Sequence, residues 1–266
     1  MNTSTKQVTN QHEQNLVIVG KPPLRRAFQG LFVLYAPSLL LNLLIGASLV
    51  ATLKSLWARR APTGLGRWLR PFIILGSLAP WLYLFWLRPW HMRWGATDKE
   101  VHKTMLGDEL VPDPVIQSTR AVTVHAPVHQ VWPWLAQLGQ DRGGFYSYAW
   151  LENLAAADIH NADRIHPEWQ QRKVGDIVRL SPYIGLPVAV FEPKRALLLK
   201  GWGAFVLEPV DTHTTRLLAR NRTPCGWSAL LSALFIELPH FIMERKMLLG
   251  IKARAEEYAR SEVEAA

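Results

Sequence analysis

The chain has one cysteine, Cys225, in 266 residues. That excludes an intramolecular disulfide framework, and with no C-x-x-C pair there is no zinc-ribbon signal. No G-x-S-x-G elbow marks a serine nucleophile. No glycine-rich phosphate loop is present, so no nucleotide cofactor, or any other, is expected. Acid is scarce at the start: residues 1–94 hold eleven Lys/Arg and a single carboxylate, Glu13. Residues 95–266 hold nineteen Lys/Arg and twenty Asp/Glu, so the net charge of +9 belongs to the N-terminal third. A nucleic-acid surface needs its positive charge clustered on a folded face. Here the charge flanks apolar runs, as it does around membrane segments, and no nucleic-acid partner is expected.

Two such runs stand out. Ala27 to Leu53 is free of charge, and "LFVLYAPSLLLNLLIGASLVATL" within it is long enough to cross a bilayer. "PFIILGSLAPWLYLFWL", between Arg70 and Arg88, is near the lower length limit for a span. Trp81, Trp86, Trp90 and Trp94 crowd its far end like an interfacial aromatic belt, and Arg88 can snorkel. A cleaved signal peptide fits poorly, because the polar leader is long and a second apolar run follows. The expectation is a disordered basic leader over 1–26, then two transmembrane helices within 27–94, at about 30–53 and 71–88. Lys/Arg counts of seven against five slightly favour both hairpin ends in the cytoplasm. A bacterial inner membrane with a cytoplasmic globular domain is the location these features suggest.

Residues 95–117, with the acidic "GDELVPDPVIQS", read as a linker. From 118 to 260 the pattern is that of one domain. "STRAVTVHAP" alternates as a strand. "VHQVWPWLAQLG" runs at helical spacing, and "SYAWLENLAAA" makes a second short helix. "DIVRLSP", "LPVAVFEP", "RALLLKGW", "GAFVLEPV" and "TTRLLARNRT" are short strands of an antiparallel meander. A long amphipathic helix closes the chain, with Phe241, Leu248, Ile251, Ala255 and Tyr258 on one face. The fold class is α+β, a sheet curled around one long helix. Arg216, Arg220 and Arg222 share one strand phase and read as a solvated sheet face.

This order of elements, with "RAVTVHAPVHQVWPWLAQLGQDRGGFYSY", "DIHNADRIHPEWQ", "KVGDIVRL" and "MERKMLLGIKARAEEY", resembles the SRPBCC superfamily, the START-like, polyketide-cyclase-like helix-grip fold. The likeness runs from about Trp94 to Tyr258. The "GGFYSY…DIHNADRIHPEWQ" block is similar to a narrower bacterial subgroup of membrane-attached members. In that subgroup an acidic residue often stands at the place of Ala149, so any role of that carboxylate is missing here. The resemblance implies a deep apolar cavity for a lipid, polyketide-like or aromatic ligand. It implies no reaction, since the superfamily mixes enzymes with carriers.

"DRGGFYSYAWLENL" (141–154) is where a ligand would be met. Gly143 and Gly144 allow a sharp turn. Phe145, Tyr146, Tyr148 and Trp150 offer rigid surface with polar tips, and Arg142 could orient a head group. Alternatively these aromatics plug the end of the sheet, and Arg142 pairs with a nearby acid. His160, Trp169 and Trp202 complete the ligand-binding set expected from the resemblance. In "HNADRIHPE", His160, Asp163 and His166 are spaced by three; no metal is expected there, because Pro167 limits the helix a ligand set would use. The segment either locks a loop or supplies acid–base groups, with His166 and Asp163 as base and orienter and Tyr146 as a third candidate.

Three functions follow as alternatives. The first is a membrane-anchored module that binds a hydrophobic small molecule or lipid. The second is a cyclase-, dehydratase- or hydrolase-like enzyme on an apolar substrate. The third is a structural or interaction protein. Finally, "CGWSALLSALFIELPHFIM" (225–243) is too short to span and too apolar for a bare loop, so a short helix is expected there, set apart from the C-terminal helix by Pro239 and either packed over the domain or dipping into the membrane interface; alternatively the segment packs as the first turns of the C-terminal helix.

Overall fold

The computed structural model describes residues 16–20, fifteen residues scattered over 35–54, and 81–265. Much of the first expected span (30–53) and most of the second (71–88) lie outside the described residues, and among those described no helix is long and apolar enough to cross a membrane.

Strand β1 (Val17–Ile18) lies at one edge of the sheet. After it come a π-helical turn (Tyr83–Leu87) and the helices α1 (Arg88–Met92) and α2 (Asp98–His102). Strand β2 (Pro114–Val124), α3 (Val128–Ala136) and α4 (Ala149–Leu154) follow. Strands β3 (Ile177–Arg179), β4 (Ile184–Glu192), β5 (Ala196–Leu199), β6 (Gly203–Pro209) and β7 (Thr215–Pro224) form the meander. Helix α5 (Trp227–Leu231), a second π-helical turn (Ser232–Ile236) and α6 (Glu237–Ala265) end the chain. The seven-stranded sheet is antiparallel, in the order β1-β4-β5-β6-β7-β2, with β3 also on β4. Sheet plus long C-terminal helix is the α+β layout the patterns predict.

Strand alternation sends residues to two faces. Val122, Val124, Leu197, Leu199, Phe205, Leu207, Leu217 and Ala219 form one core with Met247, Leu248, Ile251 and Ala255 of α6. Ala121, Leu198, Ala204, Val206 and Leu218 form a second core on the opposite face, beneath Met105 and Leu106.

That second core revises two expectations. Residues 95–112 are a third layer instead of a free linker. Thr97 and Glu100 make a reciprocal capping box at the start of α2, so this short helix is well closed. The three strand arginines do not face water freely. Arg216 forks onto Glu100 (2.8 Å to each oxygen), and Arg220, almost fully buried, reaches Asp108 (2.7 Å) and the carbonyls of Glu100, Val101 and Lys103. Arg222 donates to the carbonyl of Asp108 (2.7 Å). An alternating arginine pattern cannot distinguish water from a covering segment whose carbonyls accept.

Two further boundaries move. Val17 and Ile18, read as leader, pair with Gly185 and Ile184 of β4. Pro239 does not break the last helix: helical backbone runs through it, from Trp227 across the π turn into α6. The wider π turn just before it relieves the ring against the preceding carbonyls.

Candidate functional site

The glycine–aromatic stretch folds into a knot of hydrogen bonds. Gly144 adopts φ 71°, and a Cβ there would strike the Asn161 side chain and the His160 carbonyl. Gly143 is needed for closeness instead: a Cβ would meet the Tyr146 hydroxyl and the Gln137 carbonyl. Tyr146 itself has φ 55°, an uncommon conformation for a bulky residue. It is held there from several sides. Its N–H donates to Asn161 Oδ1 (2.7 Å), its hydroxyl accepts from Gln137 Nε2 (2.9 Å), and Arg254 lies over its ring (4.7 Å). The ring meets Trp134 edge-on, at 5.8 Å. Burial pushes its hydroxyl well above the ordinary phenol range. Ring and hydroxyl are thus both engaged in internal contacts.

The other expected residues divide in two. Arg142 donates to the carbonyls of Trp169 (2.8 Å) and Gln171 (3.1 Å), so it ties down the loop before β3. The His166 ring stacks on Trp169 (4.0 Å) and faces Glu168 (3.1 Å), while its backbone N–H donates to Gln137 Oε1 (3.1 Å). His160 is exposed beside Asp158 (3.3 Å), and Asp163 is exposed as well. Trp150 points to solvent, and Tyr148 lies under Lys246 (5.7 Å). His160, Asp163, His166 and Tyr146 therefore do not converge as acid–base partners. Among the described residues no three His, Cys, Asp or Glu side chains gather as a metal site. The reading of "HNADRIHPE" as a loop lock accounts for these contacts.

Phe145 and Trp202 do meet, with ring centroids 5.5 Å apart. Trp202 also packs edge-on against Phe205 (6.1 Å) and against His240 of α6 (5.8 Å). Behind them is a polar group that the patterns did not single out. Arg120 of β2 pairs with Glu244 of α6 and lies 3.3 Å from His240 Nδ1. Its Nε donates to the His91 carbonyl at the end of α1 (2.9 Å), and its guanidinium sits over Phe241 (5.2 Å). Burial lowers the His240 pKa, although the charge of Glu244 acts the other way. Burial opposes ionisation of Glu244, but His240 and Arg120 outweigh it, and the carboxyl is held below its ordinary range. Arg120 was hidden because it lies within the alternating strand "STRAVTVHAP", on the phase of Val122 and Val124.

Glu152 is the second unforeseen group. Ser147 Oγ donates to its Oε1 (3.1 Å), and its buried Oε2 has no hydrogen-bond partner. Burial raises its pKa to about 7.

The junction with the second apolar run is also built from named contacts. Arg88 makes a two-pronged ion pair with the buried Glu237 at the start of α6 (2.9 Å for each bond). Trp90, His91 and Trp94 surround Phe241 at 5.5, 5.2 and 6.5 Å. Arg88, which could have snorkelled, instead bolts the apolar helix end to the domain. A separate groove of about 420 Å³, lined by His102, Lys103, Arg220 and Arg222 among others, is polar and lies on the outer face. It is not on the α6 side, where the resemblance places a ligand.

Comparison with protein-family models, with curated proteins and with solved structures gave no match.

Proposed function

We propose that this protein is a membrane-anchored domain of the START-like, helix-grip kind that takes up a hydrophobic small molecule or lipid between its sheet and its C-terminal helix. The observation that carries the anchor is the return of the chain to one body. Val17 and Ile18 pair with β4, and Arg88 pairs with Glu237 of the same domain. The intervening residues hold both long apolar runs. A hairpin of two crossings brings the chain back to the side it left, which agrees with this return.

The ligand end of the proposal is the buried Phe145 with the half-buried Trp202 and His240, backed by Arg120 and Glu244. It offers apolar ring faces for a chain or ring system and a buried polar cluster for a head group. It lies at the end of α6 that Arg88 fastens to the anchor, so an apolar ligand would meet it at the bilayer side. The enzyme alternative loses the residues expected to serve it, since His160, Asp163, His166 and Tyr146 are turned to solvent or to loop contacts.

The test is to purify the full chain in mild detergent and identify co-purifying lipids by native mass spectrometry. Titration with a fluorescent fatty-acyl lipid in nanodiscs follows. Saturable binding that Trp202→Ala and His240→Ala weaken supports the proposal. Binding that neither saturates nor responds to either substitution would overturn it.

A further inference from the structure

The anchor is not the only apolar surface on this side of the molecule. Along the helical run that precedes and begins α6, Trp227 is 80% exposed, and Leu230, Leu231, Ile236 and Ile242 are exposed as well. Across the Arg88–Glu237 pair, Leu82, Phe85, Trp86, Leu87 and Trp90 are exposed on the helix leading out of the second apolar run. The two sets adjoin, because Trp90 packs on Phe241 and Arg88 bonds to Glu237. Solvated monomers rarely carry apolar patches of this extent.

The charge pattern says what covers it. From Thr212 through Ile236 there is no Asp or Glu. The first carboxylate after that, Glu237, is buried and neutralised by Arg88. A protein partner would be expected to leave a mixed-charge rim around an apolar centre. An acid-free face with an exposed tryptophan at its margin, continuous with a segment of bilayer-spanning composition, matches a lipid interface. We infer that the helical segment from Trp227 to Ile242 lies in the bilayer interface beside the anchor, as a third membrane-embedded element. This rests on the anchor reading above. Its consequence is that the Trp202–His240 end of the grip, built on the same stretch of α6, opens toward lipid instead of water.

The chain's single cysteine makes the test direct. Cys225 is exposed, so Cys225→Ser supplies a cysteine-free background. Into it go Leu231→Cys, Leu44→Cys in the first apolar run, and Thr212→Cys on the β6–β7 turn, each exposed. Each full-length variant is labelled with a polarity-sensitive fluorophore and reconstituted into phosphatidylcholine–phosphatidylglycerol vesicles. Quenching is then read with nitroxide lipids carrying the quencher near the head group or deep in the chain. The Leu231→Cys label should be quenched at least about twofold more than the Thr212→Cys label, most strongly by the shallow quencher, as an interfacial helix requires. The Leu44→Cys label should respond to the deep one. A Leu231→Cys label no more quenched than Thr212→Cys overturns the inference; if Leu44→Cys is still quenched, the anchor survives alone. If Leu231→Cys is quenched and Leu44→Cys is not, the interfacial helix stands and the anchor reading falls.

Discussion

Arg120 of β2 and Glu244 of α6 form an ion pair whose side chains are only 1% and 2% exposed. It joins one face of the sheet to the C-terminal helix packed on that face. Removing one partner of a buried pair leaves an uncompensated charge and costs about 3–5 kcal/mol, whereas replacing both with apolar groups is often near neutral. Glu244→Gln or Arg120→Met should therefore each lower the thermal midpoint strongly. The double variant Arg120→Met/Glu244→Leu should recover much of the loss, as a double-mutant cycle by circular dichroism in detergent would show. Additive losses would mean that the two groups act separately.

Asn161 is the keystone of the glycine–aromatic turn. Its Oδ1 accepts from the N–H groups of Phe145 (3.1 Å) and Tyr146 (2.7 Å), and its Nδ2 donates to the Ser147 carbonyl (3.2 Å). Asn161→Ala strands two backbone donors and should cost about 2–6 kcal/mol, at roughly 1–3 kcal/mol for each unsatisfied group. Asn161→Asp keeps both acceptor bonds and should cost less. Chemical denaturation of the two variants ranks them, and equal losses would refute the assignment of the stabilisation to Oδ1.

Much of this architecture was legible because it is periodic. The alternating runs give the strands, and the turn residues between them give the meander. The long amphipathic pattern gives α6, which buries Leu248, Ile251 and Ala255. What was not legible depends on partners distant in sequence. Asn161 reads as a loop residue until its fold-back onto Tyr146 is seen. Arg120 looks like any strand arginine, and its acceptors lie 29 and 124 residues away. The layer formed by 95–112 was hidden for a similar reason. A Pro- and Asp-containing stretch reads as a linker, and only the opposing face of β2 and β7 reveals that Met105 and Asp108 have something to pack on. Of the aromatic stretch, Phe145 and Tyr146 join the core while Trp150 is exposed, and the polar anchors of the turn are Gln137 and Asn161, which the pattern did not mark.

Glu100 should make the outer layer acid-labile. Burial alone would raise its pKa, but hydrogen bonds from Arg216 and Thr97 and the charge of Arg216 more than offset that, and it falls to about 2 from an ordinary 4.5. The folded value is depressed, so the stabilisation is complete above the unfolded pKa and is lost as pH falls through the window from 4.5 to about 2. Glu100→Gln should lower stability near neutrality, by about 1–3 kcal/mol for a charged hydrogen-bond partner removed. It should also flatten the acid limb of a plot of unfolding midpoint against pH. An unchanged acid limb would show that the capping box and the Arg216 fork contribute nothing to it.

Glu152 should act in the opposite sense. Its Oε2 is buried without a hydrogen-bond partner, Ser147 alone donates to Oε1, and burial raises its pKa to about 7 from an ordinary 4.5. Below 4.5 both folded and unfolded chains hold this proton, and above about 7 neither does. Between those limits the folded chain holds more protons than the unfolded one, so stability falls as pH rises, by up to about 1.4 kcal/mol per pH unit. The carboxyl is thus best tolerated neutral, and an amide in its place is neutral at every pH. Glu152→Gln should be about as stable as the parent near pH 5 and more stable near pH 8, by on the order of 1–3 kcal/mol. Ser147→Ala should widen the parent's loss at the alkaline end, since it removes the single donor that favours the charged form. Urea unfolding in detergent across the range from about pH 5 to about pH 8 measures both effects. If the Glu152→Gln curve runs parallel to the parent curve, Glu152 titrates normally, the chain opens enough at α4 to solvate it, and its raised pKa has to be abandoned.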